Sequence, residues 1–130
     1  MKKLINLFGL LSICFLASCS DNMINTWNID KYEVIREDGK NVSYSNIGTI
    51  TFEKDGHGHN NYKIEESNIS DESSFRWKET EDAILIKPLK RSSNSIFAKG
   101  WIKVEEKSKS QVWKSTDGGY EIQVVNLSRK

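Results

Sequence analysis

The chain has 130 residues, with 19 basic and 18 acidic side chains and a formal net charge of +1 at pH 7. That near-neutral, interspersed balance carries no electrostatic footprint for nucleic acid, so no nucleic-acid partner is expected. The length allows one domain and not two.

The amino terminus follows the plan of an export signal. Lys2 and Lys3 form a short positive region, and Leu4 to Ala17 is nearly all apolar. At roughly 14 residues the run is too short to cross a ~30 Å hydrocarbon core as a helix. It ends in Leu16-Ala17-Ser18-Cys19, which resembles the lipobox of bacterial lipoproteins. The resemblance implies diacylglycerol on the Cys19 sulfur, cleavage before Cys19 and acylation of the new amino terminus. It also implies a place in the bacterial cell envelope, held to a membrane by lipid, with Ser20 resembling signals that permit outer-membrane sorting. Each buried methylene contributes about 0.8 kcal/mol, and two or more chains make attachment durable. The alternative is an ordinary secretory peptide with a stray cysteine.

The expected organisation is a signal peptide over 1–18, a lipidated cysteine and short polar tether over 19–26, and a single domain over 27–130. Removing the signal leaves 112 residues with 17 basic against 18 acidic side chains, because Lys2 and Lys3 go with it. Cys14 leaves as well and Cys19 carries lipid, so the domain has neither a free thiol nor a disulfide. Its stability must come from packing, for which four Trp, four Tyr and the three Phe after the signal supply the bulk.

From Thr26 onward the chain reads as short strands divided by turn signals, without an apolar run at helical spacing. The first strand covers about Trp27 to Arg36. Trp27 and Ile29 share one parity and Tyr32 and Val34 the other, which predicts a bulge near Asp30-Lys31. After a turn at Glu37–Asn41, Thr49–Phe52 and Gly58–Ile64 form a hairpin about Glu53-Lys54-Asp55-Gly56, where Asp-Gly supplies the positive φ of a tight turn. Glu65 to Ser74 reads as a polar connection.

Phe75–Lys78 is a strand with both rings on one side, and Ala83–Lys87 pairs back until Pro88, which cannot donate to a ladder. Leu89 to Asn94 is a polar link. Ile96 to Glu106 reads as the longest strand, with Phe97 and Trp101 on one face, Ile102 and Val104 on the other, and a bend at Gly100. Gln111–Lys114 carries Val112 and Trp113. After a turn at Asp117-Gly118-Gly119, Tyr120–Leu127 closes the chain with Tyr120, Ile122 and Val124 aligned. About eight short strands joined by tight turns predict an all-β fold, a single eight-stranded antiparallel up-and-down barrel, since closure removes exposed edges.

Over roughly Asn25 to Lys130 the chain resembles the lipocalin-like lipoproteins of Bacteroidetes, a branch of the calycin barrels. The likeness rests on the early Trp27, the Thr49-Ile50-Thr51-Phe52-x-x-Asp55-Gly56 hairpin, Phe75-x-Trp77, and Leu127-Ser128-Arg129-Lys130 at the end. Lipocalins open with Gly-x-Trp and lay a late Arg across that Trp; here Asn25-Thr26-Trp27 lacks the glycine. The resemblance implies that Arg129 stacks on Trp27 to close the barrel, and that the cargo is a small apolar ligand.

Candidate chemistry is sparse. His57 and His59 lie two apart on a strand, a geometry that zinc or copper could use, but no further His or Cys completes a set. Parity turns both outward if Tyr62 and Ile64 face in. The acidic groups Glu65-Glu66, Glu79/Glu81/Asp82 and Glu105-Glu106 fall in turns or at strand ends, where solvation explains them better than acid–base work. No nucleophile motif or phosphate loop is present. The expectation is therefore a non-enzymatic binding module without a cofactor. Trp27, Tyr62, Phe75, Trp77, Trp101 and Trp113 either line an apolar pocket or fill the barrel, and short strands favour filling. The alternative to a ligand carrier is a protein-interaction module, an immunity-type inhibitor or an accessory subunit of an envelope complex.

Overall fold

Among the described residues the alternating pattern resolves into nine strands. They are β1 (Asn25–Arg36), β2 (Val42–Phe52), β3 (His57–Ile64), β4 (Ile69–Asp71), β5 (Ser74–Glu79), β6 (Ala83–Pro88), β7 (Gly100–Glu106), β8 (Ser110–Thr116) and β9 (Glu121–Arg129). The structure is a computed structural model and describes residues 22–90, 95–116 and 120–130. The expected signal peptide, Cys19, the start of the tether, the end of the Leu89–Asn94 link and the Asp117-Gly118-Gly119 turn lie outside them.

The three-residue β4 is the first part of β5. Both pair with β3 in one register, Tyr62 opposite Asp71 and Gly58 opposite Phe75. The ribbon is interrupted at Glu72-Ser73, where the Asn60 N–H still donates to the Ser73 carbonyl at 2.8 Å. Taken as one ribbon they leave eight antiparallel strands in a closed ring, with β2 pairing β3 at one seam and β1 pairing β9 at the other. The all-β, eight-stranded antiparallel barrel read from the sequence is the fold.

The predicted bulge is present. The register of β1 shifts between Ile29 and Lys31 against both neighbours, and Trp27, Ile29, Tyr32 and Val34 are all buried. Opposite it, β2 turns through Asn46 at φ 53° and Gly48 at φ 146°. A Cβ on Gly48 would sit 2.2 Å from the Asn61 carbonyl oxygen, so only glycine lets β2 close on β3 here.

Three expectations need correction, and the alignment on β9 gains its direction. Glu65–Ser74 is not merely a connection: Glu65–Ser67 forms a 3₁₀ turn, Asn68 takes φ 52°, and the chain re-enters the sheet as β4. The strand expected from Ile96 begins at Gly100, and the longest strand is β1 with 12 residues. Ser95 accounts for the late start. Its hydroxyl accepts the Phe97 N–H at 3.2 Å and its carbonyl the Ala98 N–H at 3.3 Å, which holds a turn in place of a ladder. On β9 the aligned Tyr120, Ile122 and Val124 do not face the core; Gln123, Val125 and Leu127 do. Finally, the polar stretch expected as a tether enters the fold early, because Met23 is fully buried and β1 starts at Asn25.

Candidate functional site

A continuous stack of rings occupies the barrel interior. Phe52 touches Phe75, Trp77 and Trp113, with centroids 5.5, 5.2 and 5.9 Å away. Trp113 meets Trp101 at 6.2 Å, Trp101 meets Phe97 at 5.8 Å, and Phe97 meets Tyr62 at 5.5 Å and Tyr32 at 6.5 Å. Edge-to-face and tilted contacts of this kind add about 0.5–1.5 kcal/mol each beyond area burial. Trp27, Trp101 and Trp113 have 0% relative exposure. Of the six aromatic residues read as pocket lining, five are buried, and Trp77 is half-buried with its Nε1–H donating to the His57 carbonyl at 2.9 Å. The structure brings the set together as filling.

The end where both termini emerge is sealed by the amino-terminal segment. The Trp27 Nε1–H donates to the Met23 carbonyl at 3.1 Å, and Met23 packs into the core. The Arg129 guanidinium carbon lies 5.8 Å from the Trp27 ring centroid, within the range of a cation–π contact, and its Nη2 donates to the Asn22 carbonyl at 3.4 Å. Trp27 and Arg129 face each other across β1 and β9. At the same end Lys103 reaches Glu79 and Glu106, with only 6% of its side chain exposed against 15% for Glu79. Burial alone would lower the Lys103 pKa, yet the two carboxylates outweigh it and the net shift is upward. Glu79 is therefore not the solvated acid expected from its position near a turn.

The opposite end, the mouth, is closed by hydrogen bonds. Asn60 Nδ2 donates to Asp71 Oδ2 at 3.2 Å and to Ser95 Oγ at 3.1 Å. The Tyr62 hydroxyl donates to Asp71 at 3.2 Å and accepts the Ile96 N–H at 3.0 Å. The cluster clasps β3, β4 and the 95–97 turn together. Burial pushes the Tyr62 pKa up to about 12. For Asp71 burial acts upward, but hydrogen bonds from Ser73, Ser95 and Tyr62 outweigh it and hold the carboxyl below 3.8. Sequence reading missed this clasp. Its signal was Asn60, a polar residue at the same inward parity as Tyr62 and Ile64.

Clefts occur on the outside. One of about 710 Å³ runs along β2 and β3 and is lined by Gly48, Thr49, Asn61, Lys63 and Glu72 among others. Two more, of about 430 and 330 Å³, flank Tyr120 at the mouth rim with Arg36, Glu37 and Ile122. Tyr120 is 80% exposed.

His57 and His59 project outward, each beside a carboxylate: His57 Nδ1 is 3.0 Å from Asp55 and His59 Nδ1 is 3.4 Å from Glu53. Hydrogen bonds from the His57 backbone and ring lower the Asp55 pKa. The two sites are separate His–carboxylate pairs, and no cluster of three or more ligands is formed among the described residues.

No protein-family model matches the chain, and no curated protein matches it. A solved structure does: a lipocalin-like protein from Bacteroides uniformis ATCC 8492, with a TM-score of 0.59 and 12% identity, covering 84% of this chain and 99% of its own. At that identity the likeness is one of fold alone. The chain folds as a lipocalin-like barrel.

Proposed function

We propose that the chain is a lipid-anchored lipoprotein of the bacterial envelope, attached through Cys19, and a non-enzymatic binding module whose partner is another protein. The observation that carries the partner reading is the filled interior. With Trp101 and Trp113 at 0% exposure and rings in contact from Phe52 to Tyr32, a cargo in the barrel would have to displace them. Tyr120, with clefts on either side of it and the Arg36–Glu121 ion pair at 3.3 Å beside it, has the composition of a protein-binding hot spot. Of the acidic groups near turns and strand ends, Glu79 and Glu106 both converge on Lys103, which supports a structural role for them.

The anchor supports an orientation. Asn22 lies at the sealed end, three residue steps from Cys19, a span of at most about 11 Å. The sealed end therefore stays close to the membrane surface, and the Tyr120 rim lies at the far end of the barrel. Native mass spectrometry of the protein extracted from its own membrane tests the whole reading. The expected species begins at a diacylglyceryl Cys19 and holds a protein partner that a Tyr120→Ala variant releases. A small apolar molecule retained one to one would favour the carrier instead, and an unmodified amino terminus would overturn the anchor.

A further inference from the structure

The walls of the barrel differ in charge in a way that its net balance conceals. On the outward parity of β5, β6 and β8 lie Arg76, Lys78, Lys87 and Lys114, all exposed. None of the four makes an ion pair among the described residues, whereas Arg36, Lys103 and Lys107 all do. Arg76 and Lys87 stand directly opposite each other across β5 and β6, a like-charge placement that weakens a sheet. Between these cations and the exposed Glu81 and Asp82 of the β5–β6 turn lie Leu85, Ile102 and Val104, which are 41, 62 and 55% exposed. Lys78 faces Leu85, and Lys114 faces Ile102, across neighbouring strands. On the same parity of β2 the chain offers only Ser43, Ser45, Thr49 and Thr51.

We propose that the outer wall of β5–β8 is a membrane-contact face, laying the barrel on anionic lipid headgroups with Leu85, Ile102 and Val104 against the acyl boundary. The inference rests on the lipid anchor proposed above, and the pairing of exposed cations with exposed aliphatic side chains matches an anionic headgroup layer over its acyl boundary. A surface already tethered to the bilayer needs only weak further attraction, because tethering raises its effective concentration there. Ile102 and Val104 also sit toward the sealed end, beside the Lys107–Lys109 turn, whose Lys109 carbonyl accepts the Arg129 N–H at 2.9 Å. That half of the wall is the one the anchor brings to the membrane. Glu105, the acid closest along β7, is held by Lys107 at 3.3 Å.

The test uses the lipidated protein purified from its membrane and reconstituted into vesicles of phosphatidylcholine, alone or with roughly one-third phosphatidylglycerol. Acetylation rates are read lysine by lysine. On anionic vesicles at low salt, Lys78, Lys87 and Lys114 should react at least about fivefold more slowly than on neutral ones, while Lys31 and Lys40 are unchanged. High salt should abolish the difference. A Lys78→Glu, Lys87→Glu, Lys114→Glu variant, whose exposed positions spare the core, should lose the Leu85 and Ile102 hydrogen-exchange protection seen on anionic vesicles. Equal rates on both vesicles, with the protein still attached, would overturn the contact face and leave the anchor standing. A protein that leaves neutral vesicles but holds anionic ones in a salt-dependent way would support the face and remove the anchor. Protection that appears only with a co-purifying acidic protein would overturn the lipid assignment.

Discussion

The two ends of the barrel are both shut, by different chemistry. The sealed end uses groups that keep their state across ordinary pH: a buried Met23, an indole under a guanidinium, and Lys103 between two carboxylates. The mouth uses a neutral Tyr62 phenol donating to an ionised Asp71, a pairing that holds across ordinary pH and weakens only in strong acid or strong alkali. An end fixed by packing suits anchorage, and one fixed by a hydrogen-bonded carboxylate responds first to extremes of pH.

Trp101 joins the two ends through Phe97 on one side and Trp113 on the other. Trp101→Ala should cost about 3–5 kcal/mol, read from urea unfolding, and should loosen both ends at once. A loss confined to one end would show that the ring stack is not continuous. Asp71→Asn should cost about 1.5–3 kcal/mol, the range for a hydrogen-bonded charge. Its hydrogen exchange should rise at Ile96 and Phe97 while Trp27 stays protected.

The pH dependence separates the ends further. Asp71 has a lowered folded pKa, so its stabilisation is present above the ordinary carboxylate range and is lost as pH falls below 3.8. Tyr62 has a raised one, so its contribution is complete below pH 10 and is lost as pH climbs toward about 12. Thermal melts of Tyr62→Phe should lack the alkaline part of that loss. Arg129→Ala should cost about 0.5–2 kcal/mol through the lost contact with Trp27, raising exchange at Met23 and Asn25 and leaving the mouth untouched. Smallest of all, His57→Ala with His59→Ala should move stability by no more than about 0.5 kcal/mol; a chelator-sensitive melt of the native protein would contradict that.

Much of the sheet was legible because alternation is a local signal. Trp27, Ile29, Tyr32 and Val34 disclosed the bulge by changing parity, and Asp55-Gly56 disclosed its hairpin. The contacts that decide the ends were not legible, because they join residues far apart in sequence. Nothing near Asn60 announces Ser95, 35 residues on, and nothing near Glu79 announces Lys103, 24 residues on. The inward face of β9 was obscured for another reason: Tyr120, Ile122 and Val124 are as apolar as the face that is buried. Ile96 and Phe97 read as strand by propensity, yet the Tyr62 hydroxyl takes the Ile96 N–H and the Ser95 hydroxyl that of Phe97.

The most direct measurement of whether the interior is filled is a titration with cis-parinaric acid at neutral pH, followed by tryptophan emission. A barrel packed with Trp101 and Trp113 should show no saturable quenching. Stoichiometric quenching that a Trp101→Phe substitution diminishes would place a ligand among those rings and contradict the account.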